Sequence, residues 1–497
     1  MPPAPPAWRR PLLFATLSAL CTGAALQTTK LALLDAAPRE FKQTKYEAAA
    51  LFLLPFGVGK AMANLLAGWL AAQPFRGTAG TLTAGWLTLL ALPLALLAQS
   101  WSVLAMLAGA LLGAEQGLTW SASLLVALNA LGSHARSGVA SGWIETVGYT
   151  AIAAMAGAYE PIESATITCS FQSGRTCETS PTCSAPLDWK AECADSCSCR
   201  GYTAIAGTSA AVAASVGLML VALDAFVPRQ ASQPAVATQR DDLPLLVLNP
   251  ASVPSSAAAV AASADPAAAA STANTTSVDF DNIALASPLP VFRDTFVATS
   301  FADQSRSLCC ISGFVLNLNT GLAWGLLLSW LRDHAGLTGA QRDAVAAFYS
   351  FPKGMFQVFA GALSDWVGRR IPITLGLGIS AAALFAFSAL ARQNPSGAVD
   401  GTNSLATQAS VAAAALGFGT ALAYPVLAAA VAERAGTGPA TAHAVGTFRF
   451  WRDLGYAAGT LVAWGADAAG PAIAIAVCAA ISLMVALAFA CRFRSVK

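Results

Sequence analysis

The sequence predicts an all-α polytopic membrane protein: twelve transmembrane helices arranged as two pseudo-symmetric six-helix halves. Three observations carry that reading. Of 497 residues, 56% are hydrophobic and only 11% are charged, with a formal net charge of +2, and mean hydropathy is +0.58. Soluble domains carry about 25% charged residues, so the composition excludes a soluble enzyme, a disordered chain and a nucleic-acid binder. Twelve stretches are apolar over the roughly 20 residues that a helix needs to cross the hydrocarbon core. Finally, the two halves of the chain repeat each other.

The apolar stretches lie near 12–35, 47–72, 79–98, 101–130, 138–159, 203–226, 307–331, 343–364, 370–391, 405–432, 440–465 and 469–491. Many are rich in Ala and Gly, which suits close helix packing in lipid. Pro55, Pro93, Pro352 and Pro425 fall inside spans, where buried neighbours can satisfy the freed backbone groups. The ~10-residue alternation of an outer-membrane barrel is absent. Lys and Arg number 14 in one set of connecting segments and nine in the other. By the positive-inside rule both termini are cytosolic. The first span is too long for a cleaved signal and no clear cleavage site follows it.

Segments 1–11 and 493–497 then read as a cytosolic N-terminus and tail, 12–226 as the first six-helix half and 306–492 as the second. Within the first half, residues 160–202 hold Cys169, Cys177, Cys183, Cys193, Cys197 and Cys199. The orientation places this loop outside or in a lumen, where disulfides persist. Six cysteines allow 15 connectivities, so no pairs are assigned. A soft-metal cluster around Cys193, Cys197 and Cys199 is the rival to a disulfide-stapled lid. Cys21, Cys309, Cys310, Cys478 and Cys491 read as packing residues. Residues 227–305 contain 37 Ala, Ser or Pro in 79, the composition of a flexible cytosolic linker. Inside it, Asp241, Leu245 and Leu246 resemble an acidic dileucine signal that a sorting adaptor would read. The sequon at Asn274 would stay cytosolic and unmodified.

The repeat is specific. Lys60, Asn64 and Gly68 in the second span match Lys353, Gln357 and Gly361 in the eighth, all at an offset of 293. Gly142 with Gly148-Tyr149 matches Gly446 with Gly455-Tyr456. Parallel six-helix repeats place a solute site near the bilayer midplane and rock one half against the other. The repeat therefore points to transport.

The string GALSDWVGRR, Gly361 to Arg370, resembles the signature loop of the major facilitator superfamily, G-x-x-x-D-R-x-G-R-R. The resemblance covers all twelve spans and implies that family's fold. It also implies that Gly361, Asp365, Gly368, Arg369 and Arg370 stabilise one access state rather than touch substrate. The N-terminal copy, GWLAAQPFRG, has Ala72 where the Asp belongs, so only half of the gating latch is expected. The strings GFVLNLNTGLAWGL and FRFWRDLGYAAG resemble a bacterial-type permease subgroup of unassigned substrate. Gly113 replaces the Arg of many proton-coupled members, and Gly148-Tyr149 stands where drug/proton antiporters have Gly-Pro. In this superfamily the fifth span packs near the eighth and the second near the eleventh.

A charge at mid-bilayer costs about 2.5–3.5 kcal/mol, so each needs a partner, a water path or a job. The cations inside the spans are Lys30, Lys60, Lys353, Arg449 and Arg452; the acids are Glu115, Glu145 and Asp453. The surplus of two positive charges favours an anionic solute, with Lys30 able to snorkel to the interface. The expected pairs are Arg449 with Asp453, four apart on one helix, and across the halves Glu145 with Lys353 and Lys60 with Asp453. Substrate-binding candidates are Lys60, Asn64, Lys353, Gln357, Arg449, Arg452, Asn317 and Trp120, with Trp324, Tyr424 and Trp451 as further aromatic walls. Glu115, Glu145 and Asp453 are the proton-coupling candidates, because burial raises a carboxylate pKa.

No cofactor or metal is expected, and the lack of a G-x-x-x-x-G-K-[ST] loop excludes ATP drive. The sequence is thus read as a secondary active transporter of a small anionic solute, with protons as a candidate coupling ion and lipid as its surroundings. The plasma membrane and a vacuolar or endosomal membrane fit equally. A cation or drug exporter of the same fold, and a non-transporting receptor using the cysteine-rich loop, are the alternatives.

Overall fold

The computed structural model describes residues 8–41, 45–73, 77–98, 100–131, 136–166, 168–171, 197–226, 288–327, 330–331, 335, 337, 339–393, 402–436 and 438–494. Cys177, Cys183, Cys193, Asp241, Leu245, Leu246 and Asn274 lie outside the described residues.

The first half comprises α1 (Arg9–Arg39), α2 (Lys45–Ala71), α3 (Gly77–Leu90), the one-turn α4 (Leu92–Ala95), α5 (Trp101–Ala130), α6 (Ser137–Thr166) and α7 (Tyr202–Phe226). Between α6 and α7, β1 (Thr168–Phe171) pairs antiparallel with β2 (Cys197–Arg200), which sets Cys169 opposite Cys199. The second half comprises α8 (Pro288–Val297), α9 (Gln304–Leu322), α10 (Gly339–Met355), α11 (Gln357–Val367), α12 (Arg370–Gln393), α13 (Thr402–Ala435), α14 (Pro439–Ala469) and α15 (Pro471–Arg492). π-helical turns at Ala298–Ala302 and Ala323–Leu327 flank α9.

Apart from α8, these helices coincide with the twelve apolar stretches once α3 and α4, and α10 and α11, are joined. Among the described residues, nine rods are long and apolar enough to cross a membrane on their own account. The other three are α6, α14 and the rod broken into α10 and α11. Those three carry Glu145, Lys353, Arg449, Arg452 and Asp453, so polarity has been concentrated where the halves meet. The break falls at Phe356, just after Pro352, which has no N–H to give the preceding turn.

One segment departs from the expectation. The linker reading ran to residue 305, yet α8 and the turn after it are ordered from Pro288. The reason is a set of aromatic contacts: Phe296 meets Phe301 and Phe450, and Phe301 meets Trp451. Asp303 then caps α9, accepting from the Ser305 and Arg306 amides. Burial pushes the Asp303 carboxyl up, but the Arg306 amide and the guanidinium groups of Arg306 and Arg434 hold it below its ordinary range.

The periphery is apolar, with Met219, Leu375, Val411, Met484 and Leu487 all exposed. Such a belt is at home in lipid and not in water. Inside the first half α2 packs along α5, and α1 along α5 and α6; inside the second, α9 packs on α14, and α12 on α13 and α15. The halves meet along two seams, α2 against α14 and α6 against α10 and α11.

Glycines set both seams. A Cβ on Gly68 would stand 2.6 Å from the carbonyl oxygen of Ala442, and one on Gly446 would stand 2.8 Å from the Cα of Gly68. At the other seam a Cβ on Gly361 would collide with the Gly138 carbonyl, and one on Gly142 would stand 2.8 Å from the Cα of Val358. Gly68 and Gly361 are repeat mates, as are Gly446 and Gly142, so the repeat encodes two equivalent backbone crossings.

Gly361→Ala should therefore lower the thermal midpoint of the purified protein, since overpacking a tight contact costs about 1–3 kcal/mol. Gly378→Ala is the control. Nothing lies within 4 Å of a Cβ there, and the exchange in mid-helix should leave the midpoint unchanged or raise it. Equal midpoints for the two variants would remove the crossing from the account.

Candidate functional site

A cavity lies between the halves, walled by α1, α2, α5 and α6 on one side and by α9, α10 and α14 on the other. Chain direction orders its wall residues. Nearest the end that carries the termini is a charged floor; above it come Lys60 and Lys353, then Tyr149, Thr320, Tyr349 and Tyr456. Lys30 and Trp324 stand at the far end.

The floor centres on Asp453, which has no exposed surface. Its carboxylate accepts from Asn64 Nδ2 at 2.6 Å, Asn317 Nδ2 at 2.7 Å and Arg452 through Nε and Nη2 at 3.0 Å each. Lys60 Nζ adds an ion pair at 3.5 Å. Around it, Ser121 donates to the Asn64 carbonyl and Tyr424 to the Asn317 carbonyl. A second carboxylate, Glu145, lies 3.6 Å from Arg449 Nη2 and 3.5 Å from Arg452 Nη1. Lys60 and Glu145 belong to the first half, and Asp453, Arg449 and Arg452 to the second. Every one of these long-range ion pairs joins the two halves.

Lys353 is different. It is 1% exposed, and among the described residues no carboxylate lies within ion-pair distance of it. Its ammonium donates to the Tyr349 hydroxyl at 3.1 Å and the Thr320 hydroxyl at 3.4 Å. It also lies 4.6 Å from the ring centre of Tyr149 and 5.3 Å from that of Tyr424. Lys30 likewise has no carboxylate partner among the described residues, and rests 3.9 Å over the Trp324 ring. Ring faces attract a cation by about 2 kcal/mol when desolvated, without neutralising it. Of the five cations, Lys60, Arg449 and Arg452 share Asp453 and Glu145, while Lys30 and Lys353, both on the cavity wall, have no carboxylate within ion-pair distance among the described residues.

The structure corrects several sequence expectations. Lys60 does pair with Asp453, but Glu145 pairs with Arg449 and Arg452 instead of Lys353, and Asp453 takes Arg452 instead of Arg449. Arg452 reaches both carboxylates, a lateral fit that depth along a helix does not reveal. Trp120 is no cavity wall; it packs edge-on behind Tyr149. Trp451 points away and donates to Ser300. Gln357 turns its amide back to the Lys353 carbonyl, and Asn64 belongs to the floor. Glu115 sits apart, accepting from Thr119 at 3.0 Å while its Oε2 has no partner among the described residues. The sequence reading passed over Tyr149, Thr320, Tyr349 and Tyr456 because a hydroxyl-bearing residue in an apolar span carries no periodic signal. Lys30 was visible only as a charge that can snorkel; α1 runs on to Arg39, which leaves it inside.

The signature loop ties α11 to α6 of the opposite half at the end that carries the termini. Asp365 accepts from the Gly138 and Val139 amides at 3.0 Å each, capping α6 of the opposite half. Arg369 ties Asp365 to Glu433 and donates to Ser137 at 2.8 Å. Gly368 permits the turn with φ of +85°, and Arg370 reaches the Ala490 carbonyl. The pseudo-equivalent crossing at Gly68 and Gly446 lies beside Ala72, with no carboxylate in that place.

Residues 309–497 match the sequence profile of the Major Facilitator Superfamily. No curated protein sequence matches the chain. Among solved structures the chain is similar to the human organic anion transporter MFSD10 (TETRAN), with a TM-score of 0.60 at 15% identity, over 98% of this chain and 100% of that one. At that identity the likeness concerns the fold.

Asp453→Asn should destabilise the purified protein by about 3–5 kcal/mol, the usual result of stripping one partner from a buried pair. Lys60→Met should cost less, because Asp453 keeps Arg452, and the double variant should fall short of the sum. Additive losses in a thermal-unfolding cycle would refute the coupling. Asp365→Ala should speed maleimide labelling of a Val139→Cys background by freeing the α6 end. An unchanged labelling rate would separate the loop from closure.

Proposed function

We propose that this chain is a major facilitator superfamily transporter, a reading supported by the profile match and the fold, and that it carries a small organic anion through the cavity between its halves by secondary active transport. The observation that carries the reading is the pair of buried ammonium groups, Lys30 and Lys353, that face the cavity with no carboxylate in ion-pair distance among the described residues. A desolvated charge left unmatched is costly, and an anion in the cavity would supply the missing partner. The similar solved structure bears the description organic anion transporter, which agrees in substrate class. Lys60 and Asn317 complete the polar wall, and Tyr349 and Thr320 offer hydroxyls to the same anion.

Alternating access follows from the seams. With the terminus-bearing end closed by Asp365 and Arg369, rocking about the two crossings would open it and draw Lys60 from Asp453 and Glu145 from Arg449 and Arg452. An anion at Lys60 competes with Asp453 for the same ammonium group, so binding weakens a tie between the halves. That competition links occupancy to the access state. Glu115, with one carboxylate oxygen unpartnered inside the bundle, is the proposed proton carrier, and Glu145 and Asp453 are the next candidates once their ion pairs part.

A thermal-shift screen of the full chain with small organic anions, cations and sugars at pH 5.5 and 7.5 tests the reading. A ligand at 100 times its Kd stabilises by about 2.7 kcal/mol. Anions should stabilise the wild type, and Lys353→Gln or Lys30→Gln should weaken them tenfold or more. Stabilisation by cations alone would transfer the case to an exporter of cations. In vesicles, uptake of the anion should rise with an inward proton gradient, and Glu115→Gln should abolish that dependence; a rise that survives would dismiss Glu115 as the carrier.

A further inference from the structure

A second, small pocket lies within the C-terminal half. Its walls include Leu327, Leu331, Val345, Phe387, Ala413 and Leu416, and among the described residues no charged side chain lines it. All six are buried, so the pocket belongs to the interior and not to the lipid-facing belt. It shares Trp324 and Tyr349 with the charged cavity. Tyr349 is the partition: its hydroxyl meets Lys353 and Thr320, while the residue also borders the apolar side. One wall comes from the π-helical turn Ala323–Leu327, and such widened turns recur at functional sites. An apolar recess that shares a wall with two lysines lacking carboxylate partners among the described residues is a feature to explain.

We infer that the substrate is an amphipathic anion, an anionic head joined to an apolar tail, with the head at Lys353 and Lys30 and the tail in the pocket beyond Tyr349. The inference rests on the anion reading above and adds the tail. A ligand of that shape satisfies both halves of the site: its charge neutralises the ammonium groups, and its tail fills the apolar space. Small, wholly polar anions would occupy only the charged part.

The test is titration of the purified full chain with straight-chain carboxylates from acetate to octanoate. In wild type the affinity should rise about fourfold with each added methylene, the burial value for one CH₂, until the pocket is full. Ala413→Phe should flatten that rise and leave the shortest members unchanged, whereas Leu416→Ala should carry it to longer chains. Where Ala413→Phe fails to fold, Leu416→Ala decides alone. A flat response in wild type, or an equal slope in wild type and both pocket variants, overturns the tail assignment. So does a rise that survives in Lys353→Gln, because it then reports partition onto apolar surface. If short carboxylates bind and Lys353→Gln abolishes them while length has no effect, only this inference falls. If no carboxylate binds at all, the anion reading falls with it.

Discussion

The carboxylate of Asp453 is the interaction on which the remaining structure depends. A charge without solvent contact survives only when its hydrogen-bonding capacity is met, and Asp453 is met by Arg452, Lys60, Asn64 and Asn317. Those partners come from three helices in two halves. The same carboxylate that makes Arg452 tolerable in an apolar bundle therefore also fixes how α2 approaches α14. Arg452 in turn reaches Glu145 on α6, so one network spans both seams.

Charge and backbone packing divide the labour at the seams. The two glycine crossings are equivalent in the repeat and bring the main chains into contact without side chains. Only one of them is additionally latched, by Asp365 and Arg369. A bundle held by glycine contacts alone has little to distinguish one rocking angle from another, because dispersion at a smooth surface is weak and non-directional. The ion pairs supply the direction, and under the proposed function they are also what a charged solute would compete for.

The uneven polarity of the rods follows from the same economy. Nine of the described rods are long and apolar enough to cross a membrane, while α6, the α10–α11 rod and α14 carry most of the charges of the interface, Lys60 on α2 and Lys30 on α1 being the others. Two of those charges, on Lys353 and Lys30, are cradled by aromatic rings and hydroxyls rather than by acids. Aromatic rings stabilise a cation without neutralising it, which leaves the charge available to a solute.

What the sequence determined by itself was everything governed by composition and local period. The apolar stretches, the repeat of Lys60 with Lys353 and Gly68 with Gly361, the signature loop at Asp365, and the concentration of charge in a few spans were all legible, because a bilayer imposes length and polarity residue by residue. Tertiary structure alone decided the pairing. Glu145 and Lys353 lie at matching depth, yet Arg449 and Arg452 take the carboxylate, since partner choice depends on how helices are rotated about their axes. Lys30 looked like an end residue until α1 proved long enough to keep it inside. The tyrosines around Lys353 and the apolar pocket behind Tyr349 come from α6, α10, α12, α13 and the π-helical turn at Ala323–Leu327, and side chains brought together only by packing leave no spacing for a sequence to record.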